Sequence, residues 1–283
     1  LSAVYYPWLM ARDVERFFGD PAPIQRDYLI NEFRSEATAE GIGASVHIQV
    51  GAENSMAEAR WVQSVADANS DWALKQVVFV DLTAPDLDAK LDSIQSLPSV
   101  AGVRQIIGRA PGEDALTGTN TLLDNPAFVA GLQNAGRRGL SFDLQLIPEL
   151  MEKTANLLAL APDTAVALCH AGSPHDRSGD GLARWASELR ALSSLPQVRC
   201  KLSGLGMFDH DWEPEDFCPI VETCLDQFGP NRVMFGSNFP VDKLYSNYAT
   251  LAQTYRNLVP REMHQAVFND TAAYFYSMFP VHA

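Results

Sequence analysis

The chain has 283 residues, a formal net charge of −14, and 47% hydrophobic against 20% charged residues. That composition supports a large buried core and excludes a disordered chain. An acidic chain suits neither phosphate backbones nor anionic bilayers, and no apolar run reaches the ~20 residues of a membrane span, so neither nucleic acid nor membrane is an expected partner.

Along the chain, strand-like apolar runs alternate with helix-like stretches. The first run is 44–50 (ASVHIQV). Ser55 with Glu58 then reads as a capping box before Ala59, Val62 and Ala66 at helical spacing. Run 76–81 (QVVFVD) precedes an apolar stripe of Leu87, Leu91 and Ile94. Run 103–107 (VRQII) precedes a helix opened by Asn125-Pro126 and closed near Gly136 or Gly139. Runs 141–147 (SFDLQLI), 165–170 (AVALCH) and 198–203 (VRCKLS) follow. Ile220, Cys224 and Phe228 form a stripe after Pro214, and 232–236 (RVMFG) is the last run.

Strands separated by helix-length crossovers pair in parallel. A (β/α)8 barrel of ~250 residues uses such a chain as one domain, here residues 1–283. A barrel needs eight strands, and the runs number seven. The segment before residue 44 contains only the short, proline-interrupted Tyr5-Tyr6-Pro7-Trp8-Leu9. The expected fold is therefore an α/β, distorted TIM-type barrel whose strand 1 is missing or truncated at the N-terminus. Cys169, Cys200, Cys218 and Cys224 form no C-x-x-C pair, and no secretory leader opens the chain; free thiols and a cytoplasmic location are expected.

In a parallel barrel the ligand site lies where the strands end. The polar residues there are His47, Gln49, Asp81, Arg104 with Arg109, Asp143, Gln145, His170, Lys201, Ser203 and Ser237-Asn238. His170, ending AVALC, reads either as a strand cap or as a metal ligand or proton-transfer group. His47 alternates with Val46 and Ile48; if those two face the helices, it faces the lumen. Arg104 suits bidentate recognition of a carboxylate or phosphate, or an internal bridge to Asp81 or Asp143; Lys201 can serve the same anion or make such a bridge. Neither G-x-G-x-x-G after a strand nor G-x-x-x-x-G-K-[ST] is present, so no nucleotide cofactor is expected.

In order, SFDLQL, ALCHAG with a following DR, VRCKLSGLGMF, RVMFGSNFPVD and the closing FNDTAAYFY resemble the amidohydrolase-related family, in its sugar-lactone and dicarboxylate-lactone hydrolase branch. The resemblance spans roughly residues 5 to 280 and implies a hydrolytic site at the C-terminal mouth. It maps the family's strand 6 histidine onto His170, its strand 4 arginine onto Arg104 and its strand 8 carboxylate onto Asn238. Gln145 stands where metal-dependent relatives place a lysine or histidine. The family's strand 1 H-x-H is not in the chain, so His170 is a metal ligand only if upstream histidines complete the site; the cofactor implied is one divalent ion, zinc or manganese. An amide cannot serve as general base, and Asp242, the nearest carboxylate, reads either as its replacement or as a loop residue.

The function expected is hydrolysis of a lactone-type cyclic ester of a sugar acid or small carboxylated ring. His170, Asn238 and Asp242 form the catalytic set, with Arg104, Gln145, Lys201, His47 and Ser203 binding substrate. The alternatives are a metal-dependent decarboxylase of a small aromatic or muconate-like acid, and a catalytically silent acid-binding barrel. The expected partner is a small anionic or sugar-derived substrate, with homo-oligomerisation left open.

Overall fold

The computed structural model describes residues 2–12, 14–113 and 119–279. Seven strands form one parallel sheet in sequential order: β1 (Ala44–Ile48), β2 (Ala73–Phe79), β3 (Val100–Arg104), β4 (Ser141–Leu144), β5 (Val166–Leu168), β6 (Val198–Leu202) and β7 (Val233–Phe235). Helices α1 (Pro7–Met10) and α2 (Ile30–Ala39) precede the sheet. The crossovers carry α3 (Ser55–Ala68), α4 (Leu87–Gln95), α5 (Pro126–Arg137), α6 (Met151–Leu158), α7 (Gly179–Ser193) and α8 (Pro214–Phe228), and α9 (Tyr248–Leu258) and α10 (Thr271–Phe275) follow β7. This is a TIM-type α/β wall. Among the described residues no ladder joins β7 to β1.

Strand alternation sorts side chains between two cores. Val103, Phe142, Leu144, Val166, Leu168, Cys200, Leu202 and Val233 face the helices and join the main core with Leu91, Phe128, Leu189, Ile220 and Tyr255. Ala44, Val46 and Ile48 of β1 meet Val77 of β2, Ala167 of β5 and Met234 of β7, residues drawn from distant parts of the sheet. That second cluster is the lumen. Tyr276 and Met278, just beyond α10, enter it too.

The helix boundaries follow the expected chemistry, with one shift. Asn125 caps α5 through the Ala127 amide, with Pro126 at the first helical position. At α3 the cap is Asn54, which accepts from the Ala57 amide, and not Ser55. Asparagine and serine cap about equally well, so spacing alone did not separate two adjacent candidates. Glu58 is instead turned inward, accepting from Tyr6 Oη at 2.9 Å. The four cysteines are free. No helix among the described residues is long and apolar enough to cross a membrane.

Candidate active site

Three strands, β3, β4 and β6, carry polar side chains on the lumen face. Arg104 ends β3, Asp143 sits in β4 with Gln145 just past it, and Lys201 sits in β6; all four are buried. A buried ion without its counter-charge is costly, so each must be accounted for. Lys201 pairs with Asp143 Oδ2. Tyr276 Oη donates to the same carboxylate, at 2.9 and 3.1 Å from its two oxygens, and the Lys201 ammonium lies 5.1 Å from the Tyr276 ring. Lys201 is therefore held as an internal ion pair and does not stand free to bind substrate; the bridging alternative is the one realised.

Arg104 differs. Its Nη1 donates to the Gln49 carbonyl at 2.7 Å and its Nη2 to Gln145 Oε1. Its Nε has no partner, and no carboxylate among the described residues lies within ion-pair distance. Neither Asp81 nor Asp143 bridges it. Asp81 bonds its own turn through the Thr83 amide and hydroxyl. Arg104 is thus a buried guanidinium whose charge is left for something else.

The loops after β5, β6 and β7 converge. His170 has φ +55° and Asn238 φ +54°, the left-handed region that non-glycine residues rarely occupy. Two such outliers on opposite loops point to a site rather than to packing. Gly204, at φ +62° between them, shows how close they come. A Cβ there would lie 2.5 Å from His170 Nδ1, 2.7 Å from Met207 Cε and 3.1 Å from Asn238 Nδ2. Only glycine fits.

His170 Nδ1 lies 3.0 Å from Ser203 Oγ, which also accepts the His170 amide at 3.3 Å. Its Nε2 has no hydrogen bond among the described residues. Burial drives the His170 pKa down to about 3, and the Arg104 and Lys201 charges add to the effect, so the ring is neutral near pH 7. Asn238 Nδ2 donates to Asp242 Oδ1 at 2.8 Å. Asp242 is 3% exposed, and its Oδ2 has no partner. Burial pushes its carboxyl up to about 7, opposed by hydrogen bonds from Asn238 and the Gly204 amide. The two groups thus stand at opposite poles: a neutral imidazole, and a carboxyl that ionises near neutrality.

His47 does not join them. Val46 and Ile48 take the lumen, so His47 faces α3, with its Nε2 3.2 Å from Glu58 Oε1 and its ring edge-on to Trp61. The assumption that Val46 and Ile48 pack on the helices is reversed. His47→Gln should accordingly leave kcat/KM within about twofold of the parent; a tenfold loss in a steady-state assay would put His47 back in the site. His175 also lies apart, bonded to Glu149. Residue-by-residue reading missed the Gly204 amide and Tyr276. Gly204 lies in L-S-G-L-G directly after a strand, which was a usable signal, whereas nothing in AAYFYS shows that its second tyrosine returns to the lumen.

Seven parallel strands in sequential order, with His170, Gly204 and Asn238 meeting on the loops that follow the last three, give the mouth of a TIM-type α/β fold. The sequence model of the amidohydrolase family matches residues 9–278, and the chain belongs to that family. It is similar to the y4mH protein of Sinorhizobium fredii, at 33% identity over 98% of this chain and 94% of that one. It is also similar to the L-fucono-1,5-lactonase of Burkholderia multivorans, at 27% identity over 98% and 92%. Among solved structures, an amidohydrolase from Burkholderia multivorans with bound zinc superposes with a TM-score of 0.81, at 26% identity over 96% of this chain and 93% of that one.

The side chains at the mouth do not by themselves fit such an ion. No three His, Cys, Asp or Glu side chains gather at one point among the described residues. The mouth offers two donors, His170 Nε2 and Asp242 Oδ2, one fewer than the three protein ligands of a catalytic zinc. The described donor set does not hold the metal by itself.

Proposed function

We propose that the chain hydrolyses a lactone, the cyclic ester of a sugar acid or of a small carboxylated ring. The observation that carries the reading is the convergence of neutral His170 and the Asn238-held Asp242 on Gly204, with the uncompensated Arg104 guanidinium behind them. Asp242, once ionised, takes a proton from water as the water oxygen bonds to the ester carbon. With Ser203 Oγ–H donating to Nδ1, His170 carries its proton on Nε2 and donates it as a hydrogen bond to the carbonyl oxygen, where negative charge develops. Collapse of the tetrahedral intermediate breaks the ring C–O bond, and the proton on Asp242 passes to the departing alkoxide. The product is an open hydroxy acid, whose carboxylate Arg104 is placed to hold. Asn238 positions Asp242; it does not itself accept the proton.

Asn238 alone would suggest a barrel without a base. Asp242 at 2.8 Å supplies one, which favours the hydrolase over the silent barrel. In support of the substrate class, the relative from Burkholderia multivorans is named a lactonase. We further propose that the whole chain acts as one domain, and that the seam between β7 and β1 is the place of an eighth strand.

The test is a panel of aldono-1,5-lactones and carboxylated pyrone lactones followed by proton release. Turnover abolished by His170→Ala is expected; no turnover of any member would sink the reading. Arg104→Met should weaken binding of an anionic substrate or product by ~1.5–3 kcal/mol, the range for hydrogen bonds to charged groups. Calorimetric titration with the product acid measures it, and an unchanged affinity would remove Arg104 from the site.

A further inference from the structure

Outside the catalytic pair, the mouth carries a second set of residues with the opposite chemistry. A cavity of about 520 Å³ is lined by Phe17, Ala110, Pro111 and the consecutive residues Met207, Phe208, Asp209, His210 and Asp211. Met207 belongs to both sets: it lines this cavity, and its Cε is the atom 2.7 Å from the point on Gly204 where His170 and Asn238 meet. The cavity therefore adjoins the reacting centre.

Its walls are rings and carboxylates. Phe17 stacks on Phe208 at 5.5 Å and 25°, and His210 stacks on Tyr245 at 4.1 Å and 5°. The two aspartates of the lining, Asp209 and Asp211, are acidic, and no lysine or arginine joins them among the described residues. Aromatic faces pack against the C–H faces of a saturated ring, carboxylates accept from hydroxyl groups, and both repel an anionic substituent. A volume of this size falls within the ~300–1,000 Å³ of small-molecule sites, and it lies beside the reacting centre rather than including it.

We propose that this cavity is a subsite for an uncharged, polyhydroxylated ring attached to the lactone, so that the substrate is a glycosyl-substituted sugar lactone. The ester ring sits against His170 and Asp242. The second sugar ring lies on the Phe17–Phe208 wall with its hydroxyls toward Asp209 and Asp211. The inference rests on the lactonase reading and specifies the substrate class for that site.

The experiment compares the 1,5-lactones of cellobionic, lactobionic and maltobionic acid with gluconolactone and galactonolactone. Each is assayed with the parent, Phe208→Ala, Phe208→Tyr and Asp209→Asn, and calorimetry follows binding of the corresponding acids. At least one two-ring lactone should exceed its one-ring counterpart about tenfold in kcat/KM. Phe208→Ala should erase that preference through KM while leaving the one-ring lactones unchanged. Phe208→Tyr, which keeps the ring, should retain the preference, and Asp209→Asn should weaken it severalfold. Equal use of one- and two-ring lactones by the parent would overturn the subsite, as would a Phe208→Ala loss shared by both. If no lactone is turned over, the hydrolytic reading fails, and the affinities for two-ring against one-ring acids still decide the subsite.

Discussion

Asp242→Asn should lower kcat/KM on any lactone the chain hydrolyses by about 10²–10⁴-fold, the span that a positioned general base contributes. The same variant should be more stable than the parent. The sign follows from where the carboxyl titrates. Its folded pKa is raised from the ordinary 3.8 to about 7, so between those values the folded state binds a proton that the unfolded chain has released. Stability therefore falls as pH rises through that window, and above about pH 7 the whole cost of the buried carboxylate is present. Asparagine carries no such cost, and a gain of ~1–3 kcal/mol at pH 8 is expected, shrinking toward pH 4. In the parent, kcat/KM should rise with pH to a plateau above about 7, because only the ionised carboxyl accepts a proton. Steady-state kinetics and chemical denaturation across pH 4–8 measure both effects. A variant that stays active, or that is less stable at pH 8 than the parent, would remove Asp242 from the role of base.

Lys201→Met should cost ~3–5 kcal/mol, the usual penalty for removing one partner of a buried ion pair and leaving the other charged. The stranded group is Asp143, fully buried in the lumen; among the described residues, Tyr276 Oη and the distant Cys169 thiol are what remains near its oxygens. Removing both charges is a different matter, since a buried pair replaced by apolar groups of similar volume is often neutral. Lys201→Met with Asp143→Leu should recover most of the loss, and the non-additivity measures the coupling. Urea denaturation at neutral pH is sufficient. A single-variant cost below about 1 kcal/mol would mean that water reaches the carboxylate.

The parallel strand order was legible because the chain repeats a single unit. Each apolar run is followed by a crossover long enough for a helix, and parallel pairing leaves little else to choose. Arg104, His170, Gln145 and Asn238 were legible as strand ends for the same reason. Orientation was harder. His47 sits in an edge strand where residues on both faces are apolar or amphipathic, and period-2 alternation gives two faces without saying which is inside. Lys201 was ambiguous because its partner lies 58 positions away, a separation that no local pattern reports. Asp242 was found only as the nearest carboxylate, since its bond to Asn238 depends on the left-handed turn at that residue. The same bond changes what an aspartate at position 238 would do. Asn238→Asp, tolerable as a restored family carboxylate, would place two acids at hydrogen-bond distance, where one must hold the other's proton.

Tyr276 also ties the segment after α10 to a carboxylate 133 positions earlier, across the three strands β5, β6 and β7. Together with Lys201 it surrounds Asp143, so a segment outside the sheet supplies part of the lumen's polar pairing. Its withdrawal would cost the buried Asp143–Lys201 pair a hydrogen-bond donor while leaving every strand ladder in place.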